Sequence, residues 1–437
     1  MSATGHSISR RPAPLTNKRN VLIFLAAMAL VIGWGLGNRY ALALGEIYIV
    51  LLALSYWNGA RALEDIDAER QHYPRAFEDG EVDVVLRLRT PRRQPVYLLE
   101  VIDTFPPAAN ERAGHLLRVP FSARRQYEIH YMKKCARRRG PYEIGPVHLR
   151  GADPMGLFPQ SAALPLFTKL LVYPQAQALP HVGVLGAGTL FHVGQETTLR
   201  SGHSEEFIGL RDYRPGDPMS RIHWPSTARH GRFIVKEFQE TVVTDVSLYV
   251  DLSRVSSAGI GDQTSTEWII RAAASIAARA VDLSHRVEVF ALAQQTDHVP
   301  MGGGDAHLIA ILDRMAVYRA DGRQPFTERL RALTGHVRRG ATVVFVCGAA
   351  ALDLEQIEGI VRLLSIQGVR VMVVPIDERR FIKLTREQDR TFAQAEPLEV
   401  IVRRLTLAGA EVFVAHDLGS RRNVKTEFAL TDAREAI

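Results

Sequence analysis

The 437 residues carry 54 Lys and Arg against 47 Asp and Glu, a formal net charge of +7, with 46% hydrophobic residues and two cysteines. A chain of this length holds two or three domains, each able to bury a core. The positive charge is too diffuse for a nucleic-acid binder, which concentrates its basic residues in a stripe, so no nucleic-acid partner is expected. Two distant cysteines, Cys135 and Cys347, exclude a disulfide scaffold. Cys347, within TVVFVCGA, reads as a buried strand residue.

Residues 1–20 form a basic tail with Arg10, Arg11, Lys18 and Arg19 and no acidic residue. Two apolar runs follow, 21–37 and 41–57, joined by Asn38-Arg39-Tyr40. Each is near the lower length limit for a membrane span, and 21–57 is expected to be a transmembrane helical hairpin. Two buried core helices are the alternative, although a soluble domain seldom begins with two uncharged runs joined so tightly. Trp34, Tyr40, Tyr56 and Trp57 fall near the span ends, where amphipathic rings prefer the interface. Glu46, near the head of the second span, lies within reach of the headgroups. Basic residues precede the first span, and Arg61 and Arg70 follow the second, against Arg39 alone in the hairpin. The positive-inside rule then gives a multi-pass protein of the inner (cytoplasmic) membrane with its main body in the cytoplasm. A signal-peptidase site at Ala41-Leu42-Ala43 would leave the same cytoplasmic body.

A connector, 58–79, is helical over 59–69. From 80 to 175 the period changes: VDVVLRLRT at 82–90 places Val82, Val84, Leu86 and Leu88 on one face. Further strands are expected at 96–105, 115–122, 126–135, 142–149 and 166–173, which together make a small all-β sandwich. Lys133, Lys134, Arg137, Arg138 and Arg139 read as a solvated strand end, with contact to anionic lipid as the second reading. Residues 176–204, glycine-rich and weakly periodic, read as a linker.

Residues 246–420 alternate strand and helix. Strands fit 246–252, 286–292, 342–348, 370–376 and 411–415; helices fit 266–283, 305–317, 326–338, 354–367 and 397–408. Near-continuous apolar strands alternating with helices predict an α/β doubly wound, Rossmann-like domain. Residues 378–396 are charged and aperiodic, a surface excursion, and 421–437 form a C-terminal tail. Met301-Gly302-Gly303-Gly304-Asp305 lacks the Lys-Ser/Thr end of a phosphate loop and reads as a flexible loop, with Asp305 capping the next helix. No nucleophile elbow, zinc-protease motif or paired Cys/His set appears, and His203, His223 and His230 match no metal spacing. No enzyme is expected.

Between the two modules, 205–245 contains EEFIGLRDYRPGDPMSRIHWPSTARHGRFIVKEF, charged but nearly balanced and threaded with aromatics. Pro215-Gly216-Asp217-Pro218 predicts a tight turn. Its fixed spacings are R-x-Y-x-x-G-D at 211–217 (Arg211, Tyr213, Gly216, Asp217), R-I-x-W at 221–224 (Arg221, Trp224), A-R at 228–229 (Arg229) and V-K-E at 235–237 (Lys236). With the D-x-S at Asp251, they resemble a bacterial family, the domain of unknown function numbered fifty-eight. The resemblance implies a von Willebrand factor A-like fold for 246–420. It also implies a membrane-anchored, non-enzymatic adaptor that works with a MoxR-type AAA+ ATPase, and in contact with membrane lipid, in assembling or activating other proteins. Arg139-Gly140-Pro141-Tyr142 and Asp153-Pro154-Met155-Gly156-Leu157-Phe158 resemble the usual end of that family's β module.

In von Willebrand A domains a D-x-S-x-S loop, with a Thr and an Asp from other loops, holds a divalent cation, and hard oxygen ligands suit Mg²⁺. Here Asp251 and Ser253 match, but Val255 brings no oxygen, so Ser256 or Ser257 substitutes only by a register shift. The Asp expected after TVVFVCG is replaced by Gly348-Ala349, with Asp353 further on, and Arg254 brings a positive charge. A degenerate metal site is expected and no cofactor, Mg²⁺ being the one candidate. A metal-dependent adhesion or ligand-binding module is the alternative function. The central run supports two compatible readings. One is a docking surface anchored by exposed Arg and Trp. The other is an internal clamp in which Asp217 pairs with Arg211 or Arg221 and Trp224 packs on the sheet.

Overall fold

The computed structural model describes residues 18–91, 96–117, 126–176, 205–217, 219–240, 244–261, 263–333, 335, 337–382, 385–417 and 428–432. Contacts divide the chain into two units, Met1–Tyr173 and Pro174–Ile437. The expected linker lies almost wholly outside the described residues, as do 1–17 of the basic tail.

The first unit opens with α1 (Lys18–Gly35) and α2 (Arg39–Ala60), two apolar helices of 18 and 22 residues that are long enough to cross a membrane. Gly37 takes φ +65° in the turn between them, and the Asn38 side chain caps α2 by accepting the N–H of Tyr40 and Ala41. Small residues let the helices close on each other: a Cβ on Gly33 would fall 2.6 Å from Leu42 N, and one on Gly45 2.7 Å from the Leu30 side chain.

Ten strands follow: β1 (Asp67–His72), β2 (Arg75–Phe77), β3 (Glu81–Arg89), β4 (Tyr97–Thr104), β5 (Arg112–Leu116), β6 (Tyr127–Lys134), β7 (Gly140–Ile144), β8 (Val147–Ala152), β9 (Gln160–Leu164) and β10 (Thr168–Tyr173). They divide among three small sheets, β1-β3-β6, β2-β10-β7 and β5-β4-β8-β9, around one core. Val82, Val84, Leu86 and Leu88 are buried on the inner face of β3, as their alternation predicts. The sheet structure begins earlier than 80, because β1 and β2 occupy the expected connector. Asp67-Ala68-Glu69-Arg70-Gln71-His72 shows no apolar alternation. Its inward residue is Arg70, buried because Asp103, the Ile144 carbonyl and Thr168 Oγ1 satisfy its guanidinium. Lys133 donates to the carbonyls of Asn110 and Arg112 and Arg137 pairs with Glu111 at the strand end, but Arg139, expected to be solvated with them, is buried, and its N–H donates to Glu78 Oε1 at 2.6 Å.

The loop after β8 joins the strands to the helices. Asp153 accepts the N–H of Met155 (3.1 Å) and of Phe158 (2.8 Å). This places the Phe158 ring edge-on to Tyr56 at 5.4 Å, with the Arg19 guanidinium 5.9 Å from its centroid.

The second unit begins with β11 (Glu205–Asp212), a 3₁₀ turn (Met219–Arg221), α3 (Trp224–His230) and β12 (Ile234–Glu240), with β11 and β12 paired antiparallel. Then come β13 (Asp245–Asp251), β14 (Gly259–Ile260), β15 (Gln263–Thr264), α4 (Ser265–Asp282), β16 (Arg286–Leu292), β17 (Thr296–Gly302), α5 (Asp305–Val317) and α6 (Phe326–Leu333). The chain continues through β18 (Thr342–Gly348), α7 (Leu354–Ile366), β19 (Arg370–Ile376), a 3₁₀ turn (Glu378–Arg380), α8 (Arg386–Gln394), α9 (Leu398–Leu407), β20 (Glu411–Asp417) and β21 (Phe428–Asp432).

Seven strands form one mixed sheet in the order β17-β16-β13-β18-β19-β20-β21. Its five inner strands are parallel, and β17 and β21 are antiparallel edges. Tyr249, Phe345, Cys347 and Val373 share a core with α6, α7 and α9. Leu248, Val250, Val344 and Val346 alternate with them toward the other face, where α4 packs on the central strands. The strand β21 falls in the expected tail and extends the sheet. The glycine-rich stretch ends β17, and Gly304 at φ +81° occupies the cap position of α5, with Asp305 already the first helical residue.

The segment 378–396 is not a surface excursion. It carries the 3₁₀ turn and α8, and it buries Glu378, Gln388 and Phe392. Phe392 packs with Ala258 and Ala350, while the two polar residues face the strand ends.

Candidate functional site

The central run folds as a braced hairpin. Arg211 grips Asp217 with both nitrogens, Nη1–Oδ2 and Nη2–Oδ1 each at 2.7 Å. Asp217 also accepts the Arg214 N–H at 2.8 Å, while its own N–H donates to the Arg214 carbonyl and Gly216 takes φ +111°. The turn is thus closed by the Arg-x-Tyr-x-x-Gly-Asp spacing itself. The Arg211 hydrogen bonds, aided by the Arg214 N–H, hold the Asp217 carboxyl down at about 2. Tyr213 lies edge-on to Phe233 at 5.9 Å, and Arg232 pairs with Asp212 at 3.0 Å.

The hairpin also carries α3. His223 caps it through Ser226, and Gly231 ends it at φ +65°. The His223 N–H donates to the Ile234 carbonyl at 2.7 Å, and Ile222, Ile234 and Val235 are buried beneath. His230 Nδ1 meets the Ser226 carbonyl, so the two histidines serve the helix rather than a common ligand.

Of the expected site residues, the structure joins Arg211, Gly216 and Asp217 in the clamp and sets Tyr213 beside it. Arg221 and Lys236 are half-buried and Arg229 is exposed. Trp224 does not pack on the sheet: it is 61% exposed, and Met219 (65%) and Phe233 (50%) are exposed as well.

The second constellation lies at the carboxyl ends of β13 and β18, where the parallel strand order reverses; a crevice at such a point is the usual ligand site of an open α/β sheet. Asp251 accepts the N–H of Ser253 (2.9 Å) and of Gly348 (3.2 Å) and the hydroxyl of Ser256 (2.6 Å). Ser253 Oγ meets Ser256 Oγ at 3.0 Å, so Ser256 takes the third place by the register shift. Val255 and Asp353 supply no oxygen to the cluster; Asp353 instead caps α7 through the Gln356 N–H. The Arg254 side chain is exposed.

Glu378 closes the crevice and lies within the segment that aperiodicity marked as surface. Its carboxylate accepts the N–H of Ala350 (2.7 Å) and Ala351 (3.4 Å). A Cβ on Gly348 would fall 1.8 Å from Glu378 Oε1 and 2.7 Å from Ser256 Oγ. Gln388 in α8 fixes the loop after β13 by donating to the carbonyls of Arg254, Val255 and Ser257. Burial raises the Asp251 carboxyl above its usual range. It pushes Glu378 up to about 8, with the charge of Asp251 adding to the shift.

This donor set does not fit the cation implied by the resemblance. The carboxylate expected from the β18 loop is Gly348. Its space is filled by Glu378, whose oxygens are engaged by backbone N–H groups. Among the described residues no group of three His, Cys, Asp or Glu comes together to hold a metal ion.

A relative, "Uncharacterized protein YeaD" of Bacillus subtilis (strain 168), is 24% identical over 372 residues, which is 84% of this chain and 85% of that protein. Solved structures are only faintly similar. Pseudomonas fluorescens alkylpurine DNA glycosylase AlkC bound to abasic-site DNA has a TM-score of 0.17 at 14% identity, over 35% of this chain and 46% of that one. The X-ray structure of target SoR45 has a TM-score of 0.17 at 9% identity, over 30% and 95%. Likenesses this slight carry no argument. Residues 209–384, which include the clamp and the crevice, match the family model "Protein of unknown function DUF58".

Proposed function

We propose that this protein is a non-enzymatic adaptor of the inner membrane, anchored by the α1–α2 hairpin, with its body in the cytoplasm and a von Willebrand A-like domain as its platform. In this reading a MoxR-type AAA+ ATPase is the partner and supplies ATP hydrolysis, and this chain supplies the membrane address and the docking surface. The observation that carries the reading is that Met219, Trp224, Arg229 and Phe233 are each exposed along the 219–233 stretch of a hairpin locked by Arg211 and Asp217. Aromatic and arginine side chains on a rigid support are the composition of interaction hot spots. The strand order, five parallel strands with antiparallel edges, supports the von Willebrand A-like assignment.

The same reading makes the crevice structural. Asp251 and Glu378 are 2% and 0% exposed, so a substrate cannot reach them in this state. Crosslinking and affinity capture of the full-length chain from its native membrane, with Trp224→Ala and Arg229→Ala alongside, tests the partnership. Recovery of an AAA+ ATPase that both folded variants lose is expected; capture without one overturns it. Titration with millimolar Mg²⁺ should leave the melting temperature unchanged, and a rise would revive the metal-dependent alternative.

A further inference from the structure

Along the sequence the central run is nearly neutral, but the fold segregates its charges. The antiparallel register sets Glu205 opposite Glu240 and Glu206 opposite Gln239 at one end of the hairpin. The other end is the turn and what it carries. Residues 211–236 hold six bases, Arg211, Arg214, Arg221, Arg229, Arg232 and Lys236, against Asp212 and Asp217, an excess of four positive charges with the histidines neutral. Both acids are already engaged inside the hairpin, Asp217 by Arg211 at 2.7 Å and Asp212 by Arg232 at 3.0 Å. The excess is therefore not neutralised within the segment. Arg214 and Arg229 are exposed, and Arg232 keeps most of its side chain accessible. The aromatic residues stand among these charges. The end of β12 runs between two tracks: the Tyr213 N–H donates to the Phe233 carbonyl on one side, and the His223 N–H donates to the Ile234 carbonyl on the other, where Ile222 bridges Val235. Phe233 and Trp224 each lie one residue from the His223–Ile234 bond, with Arg232 next to Phe233 in the chain and Tyr213-Arg214 across from it.

We propose that the protein segment docked on this hairpin is acidic: a stretch of Asp and Glu carboxylates around an aromatic or aliphatic side chain, the carboxylates meeting Arg214, Arg229 and Arg232 and the apolar group lying against Trp224 and Phe233. The inference rests on the docking reading above and gives that partner its chemistry. A surface with four uncompensated positive charges repels a basic partner and steers an acidic one into the encounter. Five of the six bases are arginine, whose planar fork takes a carboxylate through two parallel hydrogen bonds, as Arg211 takes Asp217. An anionic bilayer shares the sign but not the rest. Polybasic lipid contacts stand immediately beside a span, whereas ten strands separate this hairpin from α2 along the chain. A lipid surface also asks for no fixed geometry, and here the Arg211–Asp217 clamp fixes it.

The test is photocrosslinking of the full-length chain in its native membrane, with the photoreactive aromatic benzoylphenylalanine in place of Phe233 and mass spectrometry of the crosslinked peptide. That peptide is expected to carry more Asp and Glu than Lys and Arg around an apolar residue, and its yield should fall as salt is raised. Arg214→Glu combined with Arg229→Glu should lower the yield about tenfold or more. Exchanging the acids of the identified segment for lysine should then restore it. Arg214→Gln with Arg229→Gln, which puts no new acid beside Asp217, gives the same comparison if charge reversal lowers the melting temperature. A neutral or basic peptide, a lipid adduct, or a yield indifferent to salt and to both pairs of substitutions overturns the proposal. Docking survives that result if Trp224→Ala still abolishes the crosslink to protein, whereas a chain that crosslinks to nothing loses the docking reading as well.

Discussion

Arg70 and Asp103 face each other across the interior of the first unit, Nε–Oδ2 at 2.9 Å and Nη2–Oδ1 at 2.5 Å, with both side chains fully buried. The Tyr131 hydroxyl donates to the same carboxylate at 2.6 Å, and burial together with the Asp103 charge holds that phenol well above its usual range. Removing one partner leaves an unpaired buried charge. Arg70→Ala or Asp103→Ala is therefore expected to lower stability by roughly 3–5 kcal/mol. The pair Arg70→Met with Asp103→Leu should cost markedly less than either alanine variant, since no charge is then stranded. Chemical denaturation of the solubilised chain measures all three, and an Asp103→Ala protein as stable as wild type would remove the pair from the core energetics.

Glu378 makes the second unit sensitive to alkali. Its carboxyl titrates at about 8 in the folded chain against 4.5 ordinarily, so between these values the folded state holds a proton that the unfolded state has lost. Stability is greatest below the ordinary value and falls as pH rises through the window, by about 1.4 kcal/mol per pH unit. Glu378→Gln keeps a carbonyl oxygen for the Ala350 N–H and removes this titration. Melting curves from pH 5 to 9 should flatten in the variant, with the residual slope set by Asp251. An identical slope in both proteins would place the proton elsewhere.

How far the sequence reaches depends on what buries each residue. Val82 to Leu88, and the apolar strands of the second unit, are legible because one face or both faces enter a core and period follows burial. The Arg211–Asp217 clamp is legible because a turn keeps its partners six residues apart. Arg70, Glu378 and Gln388 are not, because a buried polar residue reads as solvated until its partner is known, and their partners lie 33, 28 and more than 130 positions away. Trp224 errs in the opposite direction. Burial is the ordinary fate of tryptophan, and only the path of α3 reveals that its ring faces outward.

The hairpin separates folding from docking. Asp217→Ala removes the acceptor for Arg211 and for the Arg214 N–H, so the 211–217 turn should lose protection from hydrogen exchange. Trp224→Ala, which takes away an exposed ring, should leave both exchange and melting temperature at wild-type values while abolishing partner capture. Because the Asp217 carboxyl is held at about 2 against the ordinary 3.8, the turn is expected to keep its protection above that ordinary value and lose it as pH falls toward 2. A Trp224→Ala chain with a lowered melting point would assign the ring to folding instead.

Gly59 and Phe158 couple α2 to the strands. A Cβ on Gly59 would fall 2.8 Å from Phe158 Cβ and 2.9 Å from its carbonyl oxygen. Gly59→Val therefore has to displace the loop that Asp153 folds, at a cost of about 1–3 kcal/mol. Phe158→Ala keeps the Cβ and carbonyl that a Gly59 side chain would meet but forfeits the edge contact with Tyr56 that holds the loop against α2, so the loop shifts aside more readily. The two changes share one site, so they should not add: the double variant is expected to be more stable than the sum of the single losses predicts. Protease cleavage at the 153–158 loop in proteoliposomes reads the same coupling, rising in Gly59→Val and falling back toward the Phe158→Ala level when both are present. Additive losses would show that α2 and this loop hold together through other contacts.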